Sequence, residues 1–348
     1  MTAPGAEGRR QAIREFCLER GWLRDVGEIN FLAAGEYNEN WRVLGTAVGA
    51  PGQEFVFRIN HGTQLDRADQ ARYEFAALES VVASGVTPAP YFVADAAPGG
   101  VGAGAILMEF LPGTPLEYAT DLGGAAECLA AIHALPNSDR LLWYREPARD
   151  LLAESARPVG RHADHPLPEA GRRLWGWHAA LSGRPDLLLG PPSSVVNTEV
   201  NSHNFVVDRD SPSAPVRLVD WEKAVNGSCY LDLAHFLAPT TTSWKRRYRL
   251  SAAERELFLR AYVAARGAPG TFDEISGGTA AAEQLVLLRA LSWCYMAYAE
   301  YVPTNTNTNT NEGTGGEASG PAAKRRLRHD DTLERLNEYL HDLGEFIG

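Results

Sequence analysis

The chain has 348 residues, 45% of them hydrophobic, so it is long and apolar enough to bury a sizeable core in one large domain or in two lobes. Its 44 acidic and 33 basic residues give a formal net charge of −11. Because this charge would repel phosphates, we expect neither a general nucleic-acid binder nor a protein that binds anionic membranes. A small neutral or cationic partner fits the charge better.

The N-terminus and the cysteines indicate an intracellular compartment. Residues 1–6 lack the basic and apolar pattern of a signal peptide, and no window holds about 18 uninterrupted apolar residues. No CxxC spacing occurs, which argues against a zinc knuckle or a redox pair. We therefore expect a cytoplasmic protein, neither secreted nor inserted into a membrane, whose cysteines are reduced thiols: Cys17, Cys128, Cys229 and Cys294.

In chain order, the first 110 residues predict a small sheet that carries one major helix. A short amphipathic helix is expected over residues 9–20, with Gly21 as its C-cap. A longer helix is expected over residues 66–84, and Gly85 ends it. Predicted strands cover residues 29–33, 41–44, 55–59, 88–93 and 104–110.

Beyond residue 113 helical patterns dominate and predict a mainly α-helical lobe. One of these helices opens with a capping box, in which Ser251 and Glu254 satisfy each other's backbone N–H groups. The sequence thus divides into an N-terminal lobe over residues 1–112 and a C-terminal lobe over residues 113–348. Predicted helices cover residues 121–135, 168–181, 231–237, 251–266, 279–301 and 323–346.

Residues 304–321 interrupt the helical part with low-complexity sequence. Alternating Thr and Asn give way to Gly, Ser and Glu, and Ala318 is the one apolar residue before the closing proline. Such a segment cannot bury enough apolar surface to offset its ordering entropy. We predict a disordered insertion without a catalytic role, whose replacement by a short linker leaves stability nearly unchanged.

Two features of the predicted sheet point to phosphate binding. Gly35 and Asn38 lie in a predicted turn that can pass over nucleotide phosphates and offer them backbone N–H groups. An ordinary turn without a ligand has the same sequence pattern and is the alternative. Arg58 lies in the apolar strand 55–59 and needs an anionic partner if it points inward. A phosphate or Glu74 on the next helix could supply it; an exposed Arg58 is the alternative.

The segment from Met108 through Glu109 to Leu111 joins the sheet-rich and helical parts. Backbone groups of a connecting hinge can match the donor and acceptor pattern of adenine, and its apolar flanks suit a flat base. These three residues are therefore candidate nucleotide-binding residues. A buried strand ending in a Pro-Gly turn is the alternative, and both can hold together.

Residues 196–222 contain the candidate catalytic and metal-binding side chains. Glu199 and Asn204 precede an apolar run, so Glu199 can accept the proton of a hydroxyl while Asn204 coordinates Mg²⁺. A second apolar run ends at Asp220, with Glu222 two residues later, and supplies hard oxygen ligands for a metal that bridges phosphates. We predict Glu199, Asn204 and Asp220 as catalytic and Asn204, Asp220 and Glu222 as metal-binding. Two hairpins with acidic turns are the alternative.

These residues resemble the aminoglycoside phosphotransferase and choline kinase superfamily, relatives of the protein kinases. Many members have a catalytic loop that reads His-Thr/Gly-Asp, four residues and Asn, and this chain reads Asn197-Thr198-Glu199, four residues and Asn204. The triplets Asp220-Trp221-Glu222 and Asp232-Leu233-Ala234 match the family's Asp-Trp-Glu and Asp-Leu-Ala. The resemblance covers roughly residues 28–300 and includes the turn, strand, helix and hinge residues named above.

The resemblance implies a bilobal protein-kinase-like fold of the α+β class, with a small antiparallel-sheet lobe, a larger mainly helical lobe, and ATP and Mg²⁺ as cofactors. Three positions depart from the family: Glu199 stands for Asp, Asn197 for a His that braces the loop, and Arg58 for the commoner Lys. Glutamate moves the carboxylate outward by about one methylene. Arginine keeps the charge and can grip a phosphate with two donors.

The functional expectation is an ATP- and Mg²⁺-dependent O-phosphotransferase. Its partner would be a small sugar-containing or amino-bearing molecule with a hydroxyl, for example an antibiotic in resistance or self-protection. A degenerate kinase-like module that only binds nucleotide or ligand is the alternative. Aromatic residues of the helical lobe, among them Trp175, Trp244 and Trp293, are candidate walls of the acceptor pocket or ordinary core residues, and His235 is interpreted as a loop or core histidine.

Overall fold

The computed structural model describes residues 6–347 except 36, 50–52, 64, 66, 101, 185–186, 188, 212, 214, 268–269 and 303–328. The predicted insertion over residues 304–321 lies outside this part. Within the described ranges, no helix is both long enough and apolar enough to cross a membrane.

The N-terminal part is one antiparallel sheet of five strands, in the order β1-β2-β3-β5-β4. Apolar side chains on one face of the sheet bury against helix α1 (Ala6–Glu19), where Ile13 and Cys17 are fully buried. The five predicted strands are confirmed, although the first is longer than predicted and contains register shifts. Their bounds are β1 Leu23–Ala34, β2 Asn38–Ala47, β3 Glu54–Asn60, β4 Pro90–Ala94 and β5 Gly104–Glu109.

Helix α2 (Gln70–Val81) crosses between β3 and β4 and is followed by a 3₁₀ turn over Val82–Ser84. Gly85 adopts a φ of 72°, a conformation that glycine reaches without strain, so the predicted stop is confirmed. The helix begins later than predicted because the Thr63 hydroxyl accepts backbone N–H groups of the preceding loop. One buried face of α2 presents Glu74 to strand β3.

Helices dominate the C-terminal part, as predicted. The Ser251–Glu254 capping box is confirmed, and a second one formed by Thr271 and Glu274 starts α9 earlier than predicted. The sequence prediction missed α4, which contains Pro158, and α7, which opens with a proline and three threonines of low helix propensity. The bounds are α3 Tyr118–His133, α4 Pro147–Gly160, α5 Pro168–Ser182, α6 Tyr230–Leu237, α7 Pro239–Arg246, α8 Ala252–Arg266, α9 Phe272–Tyr301, α10 His329–His341 and α11 Leu343–Ile347.

Short strands between the two parts position the loops that carry the chemistry. Strands β6 (Thr114–Pro115), β8 (Phe205–Val207) and β9 (Val216–Leu218) form one antiparallel sheet. Strands β7 (Ser194–Val196) and β10 (Val225–Gly227) form another. Residues 197–204 and 219–224 therefore emerge side by side from neighbouring strands.

This arrangement is the predicted α+β, bilobal protein-kinase-like fold, with a small antiparallel sheet followed by a larger helical part. Trp221, Phe205 and Leu218 are fully buried and anchor the loops of residues 197–204 and 219–224 in the core of the helical part. The division of the chain after residue 112 stays a proposal.

Candidate active site

Arg58 is the central cation of the cleft. Its side chain is 7% exposed, and Nε lies 2.9 Å from Glu74 Oε2 as an ion pair outside hydrogen-bond geometry. The terminal nitrogen Nη2 donates to Asp220 Oδ1 at 2.6 Å and to Glu222 Oε2 at 3.2 Å. The predicted pair of Arg58 and Glu74 is thus confirmed, and Arg58 also ties the sheet to the loop after β9.

Amide side chains hold Glu222 in place from the sheet side. Asn38 Nδ2 donates a short hydrogen bond to Glu222 Oε2, and Asn60 Nδ2 donates to Asn38 Oδ1 at 3.1 Å. Gln70 Nε2 donates to the Glu222 carbonyl at 2.8 Å. Asn38 is 3% exposed. Its side chain therefore contacts an acid and helps to orient Glu222. The predicted contact of Asn38 with a nucleotide stays a proposal.

The cleft holds more negative charge than Arg58 compensates, because one guanidinium faces three carboxylates. Burial raises the pKa of Glu74, and Asp220 and Glu222 add to the shift while Arg58 opposes it. Burial and the neighbouring Asp220 also raise the pKa of Glu222. For Arg58, burial acts to lower the pKa, but its acidic partners outweigh this and raise it. A bound cation would relieve this excess of negative charge.

Residues 197–204 form the candidate catalytic loop, called the catalytic loop below. A buried acid on α6 holds this loop in place. Asp232 accepts the backbone N–H groups of Asn197 at 2.8 Å and of Thr198 at 2.7 Å, and His133 Nε2 lies 3.2 Å from the same carboxylate. Thr198 has a φ of 69°, which costs about 1–3 kcal/mol in a non-glycine residue. The hydrogen bonds to Asp232 compensate this strain and fix the loop.

Asn197, which stands where the family has a bracing His, connects the two acidic loops. Its Nδ2 donates to the Asp220 carbonyl at 2.7 Å, and its Oδ1 accepts the Glu199 N–H at 3.1 Å. Asp220 has a φ of 67°, a strained conformation for a residue other than glycine. The Asn197 side chain thus holds the carbonyl of a residue whose backbone is strained. Asn197 therefore braces the loop by hydrogen bonds of its own.

Asn204 and Asp220 are the best-placed pair for a metal. The Val219 N–H donates to the Asn204 carbonyl at 2.8 Å, which brings the two loops together, and Asn204 Nδ2 donates to the Glu199 carbonyl at 2.9 Å. This leaves the Asn204 amide oxygen for a cation. The Asp220 side chain is 29% exposed, whereas the Glu222 side chain is only 9% exposed.

The donor chemistry fits Mg²⁺, which takes one or two protein carboxylates and completes its shell with water and phosphate oxygens. The described residues contain no group of three or more His, Cys, Asp and Glu side chains arranged to hold a metal by themselves. Asp220 and Asn204 would hold the ion. The more buried Glu222 would add negative charge to the site.

The Glu199 carboxylate contacts Lys223. Lys223 Nζ lies 3.1 Å from Glu199 Oε1, and its side chain is 14% exposed. Lys223 comes three residues after Asp220, so the loop that carries Asp220 also supplies the cation that contacts the predicted base. The sequence analysis did not single out Lys223; its position directly after the Asp-Trp-Glu triplet was the available signal.

A cavity of about 300 Å³ adjoins Glu199 in the helical part. Lys223, Arg289 on α9, Glu154 on α4 and His235 on α6 contribute its polar lining. Its apolar walls include Trp244, Trp293 and Tyr339. Two of the predicted aromatic walls, Trp244 and Trp293, are therefore in place, whereas Trp175 is 43% exposed and packs against His178 instead. His235, interpreted from sequence as a loop or core residue, lines the cavity.

The remaining predicted nucleotide-binding residues lie at or just after the C-terminal ends of strands β1 and β5. Met108 and Leu111 are buried at 7% and 8% exposure. The Glu109 carboxylate accepts the Ala89 N–H at 3.1 Å, so a contribution to a nucleotide would come from its backbone. The Gly35 N–H donates to the Asn38 carbonyl at 2.7 Å, and a Cβ on Gly35 would meet that oxygen at 3.8 Å, an ordinary contact. The turn itself therefore does not require glycine.

Comparison with known proteins places these features in a family. The model of the phosphotransferase enzyme family matches residues 28–276. No curated protein matches the sequence.

Among solved structures, the GDP complex of wild-type aminoglycoside 2'-phosphotransferase-IIIa is 14% identical with a TM-score of 0.57, covering 96% of this chain and 97% of its own. APH(2")-IIia in complex with GDP and kanamycin is 13% identical with a TM-score of 0.53, covering 95% and 97%. Choline kinase LicA from Streptococcus pneumoniae is 15% identical with a TM-score of 0.53, covering 94% and 99%.

At these identities the solved structures establish the fold, and the family match extends over more than half of the chain. The resemblance found in the sequence motifs is thereby confirmed. The chain belongs to the phosphotransferase enzyme family and is a small-molecule phosphotransferase.

Proposed function

We propose that this protein transfers the γ-phosphoryl group of ATP, with Mg²⁺, to a hydroxyl of a small molecule bound in the cavity beside Glu199. The observation that carries the proposal is the excess of carboxylates around Arg58, with Asp220 and Asn204 at the junction of the two loops. Mg²⁺ held by Asp220 and Asn204 would neutralise negative charge that develops during transfer.

The residues of the chain have separate tasks in this proposal. Arg58 both orients Asp220 and offers charge to phosphate oxygens, and backbone groups of the segment from Met108 to Leu111 take the base. The Glu199 carboxylate accepts the proton of the acceptor hydroxyl as the new P–O bond forms. Because transition states of this kind are loose, positioning and charge neutralisation supply most of the catalysis.

From the sequence, we expected an acceptor that contains a sugar or bears an amino group, for example an antibiotic. Both classes have precedents in the names of similar structures, which include a kanamycin complex and a choline kinase. Resistance or self-protection is one proposed setting. It predicts that expression in a sensitive host raises the inhibitory concentration of the antibiotic that is phosphorylated.

A test of the proposed reaction incubates purified protein with γ-labelled ATP and Mg²⁺ against nucleosides, glycosides, choline and aminoglycosides. We expect label transfer to an acceptor hydroxyl, dependent on Mg²⁺ and lost in Asp220→Ala. Label transfer at the wild-type rate by Asp220→Ala, or without any divalent metal, would contradict the proposal.

A further inference from the structure

The charges that line the acceptor cavity cancel in pairs. Two carboxylates, Glu154 and Glu199, face two cations, Lys223 and Arg289. Glu199 is engaged by Lys223 at 3.1 Å, and Arg289 Nη1 lies 3.9 Å from Glu154 Oε2. The lining therefore has no excess charge of either sign, in contrast to the acidic cluster around Arg58.

Glu154 is held within this arrangement rather than left open for a ligand. The Tyr144 hydroxyl donates to Glu154 Oε2 at 2.9 Å, and Lys223 Nζ lies 3.9 Å from Glu154 Oε1. Burial alone would raise the pKa of Glu154, but the charges of Arg289 and Lys223 outweigh it and lower the pKa. Glu154 is therefore an ionised acid whose charge is already balanced.

The remaining polar lining is neutral. Burial, and then the charges of Arg289 and Lys223, lower the pKa of His235 well below its ordinary value. Its Nδ1 is buried and has no hydrogen-bond partner within the described part of the chain. Burial raises the pKa of the Cys294 thiol, also in the lining, to about 12. A hydroxyl or amide group of a ligand can pair with neutral groups of this kind, whereas the N–H donors of a primary ammonium group are satisfied best by a carboxylate.

Aromatic side chains form the opposite wall. The rings of Trp244 and Trp293 meet edge to face with centroids 6.1 Å apart, and the Tyr339 hydroxyl donates to the Thr240 carbonyl at 3.1 Å. Flat faces of this kind bind the apolar face of a sugar or a heteroaromatic ring. A volume of about 300 Å³ lies at the small end of ligand pockets.

From the balanced charges and the aromatic wall, we propose that the acceptor is an uncharged hydroxyl-bearing glycoside with a flat apolar face, such as a nucleoside or an aryl glycoside. This inference rests on the proposed function and narrows it. We expect polyamines such as kanamycin to be poor acceptors, because within the described residues each carboxylate that lines the cavity is already paired with a cation.

The test has two independent readouts on the full chain. Tryptophan fluorescence reports binding of uridine, phenyl β-glucoside, choline and kanamycin in the presence of ADP and Mg²⁺, and ADP release reports turnover of each with ATP. We expect uridine or phenyl β-glucoside to bind and to stimulate ADP release, with a kcat/KM at least about 100-fold above those of choline and kanamycin.

Trp293→Ala should raise the KM for the preferred glycoside at least about tenfold, whereas Trp175→Ala, outside the cavity, should not change it. Better turnover of choline or kanamycin overturns the inference and leaves the proposed function standing. No binding of either uncharged probe up to about 10 mM also overturns it. Failure of the proposed function is recognised separately, as absence of Mg²⁺-dependent nucleotide binding.

Discussion

Lys223 Nζ lies 3.1 Å from Glu199 Oε1, at the point where the loop after β9 meets the catalytic loop. The contact fixes the longer side chain that this chain carries in place of the family's Asp. It also joins the proposed base to the loop that carries Asp220, the proposed metal ligand. The geometry of the base therefore depends on a residue outside the catalytic loop.

Lys223→Met should lower kcat about 10- to 100-fold, because a carboxylate that is free to swing by about 1 Å loses its alignment with the hydroxyl. The KM for MgATP should change little, and Lys223→Arg should recover part of the rate. Arg149→Met removes a cation that is 81% exposed and serves as the control. A wild-type kcat in Lys223→Met would show that the contact has no role in turnover.

Asp220→Asn keeps the size of the side chain and removes its charge, so it tests the metal assignment without creating a cavity. We expect the affinity for MgATP to fall at least about tenfold while metal-free ATP binds as before, since Asn is a weaker Mg²⁺ ligand. Calorimetric titration with and without Mg²⁺ measures both. Asp210→Asn, in an exposed turn, is the matched control. Equal loss of affinity with and without metal would assign Asp220 to the fold instead.

Arg58→Met should destabilise the protein by about 3–5 kcal/mol, because it leaves three buried or partly buried carboxylates without their cation. Adding Glu74→Gln to this variant should restore part of the loss, by about 0.5–3 kcal/mol, because one uncompensated acid is removed. Denaturant unfolding gives the free energies. Arg72→Met breaks an exposed pair with Asp95 and should leave the unfolding free energy unchanged. Additive effects of the Arg58 and Glu74 changes would contradict the coupling.

Local patterns were sufficient to predict the strands, most helices and the pair of Arg58 with Glu74. A cation in an apolar strand followed by an acid on the next helix leaves few arrangements that avoid an unpaired buried charge. The candidate catalytic and metal-binding residues could be proposed from the sequence because the spacing of each motif lies within a single loop. Helices α4 and α7 were missed because proline and threonine obscure the helical pattern that packing nonetheless imposes.

The acceptor cavity could not be predicted in the same way, because its residues come from five helices and two loops. Glu154, Lys223, His235 and Arg289 meet only through the packing of α4 and α6 on α9. Asn38 shows the same limit: it reaches Glu222 across 184 positions of sequence, so no local pattern links the two. Contacts of this kind are set by tertiary packing.

The most direct test of the account is the rate of phosphoryl transfer by Glu199→Gln and Glu199→Asp to the acceptor identified in the screen. Loss of a general base should lower kcat about 10²- to 10⁴-fold in Glu199→Gln with acceptor binding preserved. Glu199→Asp should also be slower, because its shorter side chain withdraws from Lys223 in a loop braced by Asn197. Glu146→Gln, at a position that is 65% exposed, controls for the loss of a charge. A wild-type kcat in Glu199→Gln would contradict proton abstraction by this residue, and a faster Glu199→Asp would contradict a loop adapted to glutamate.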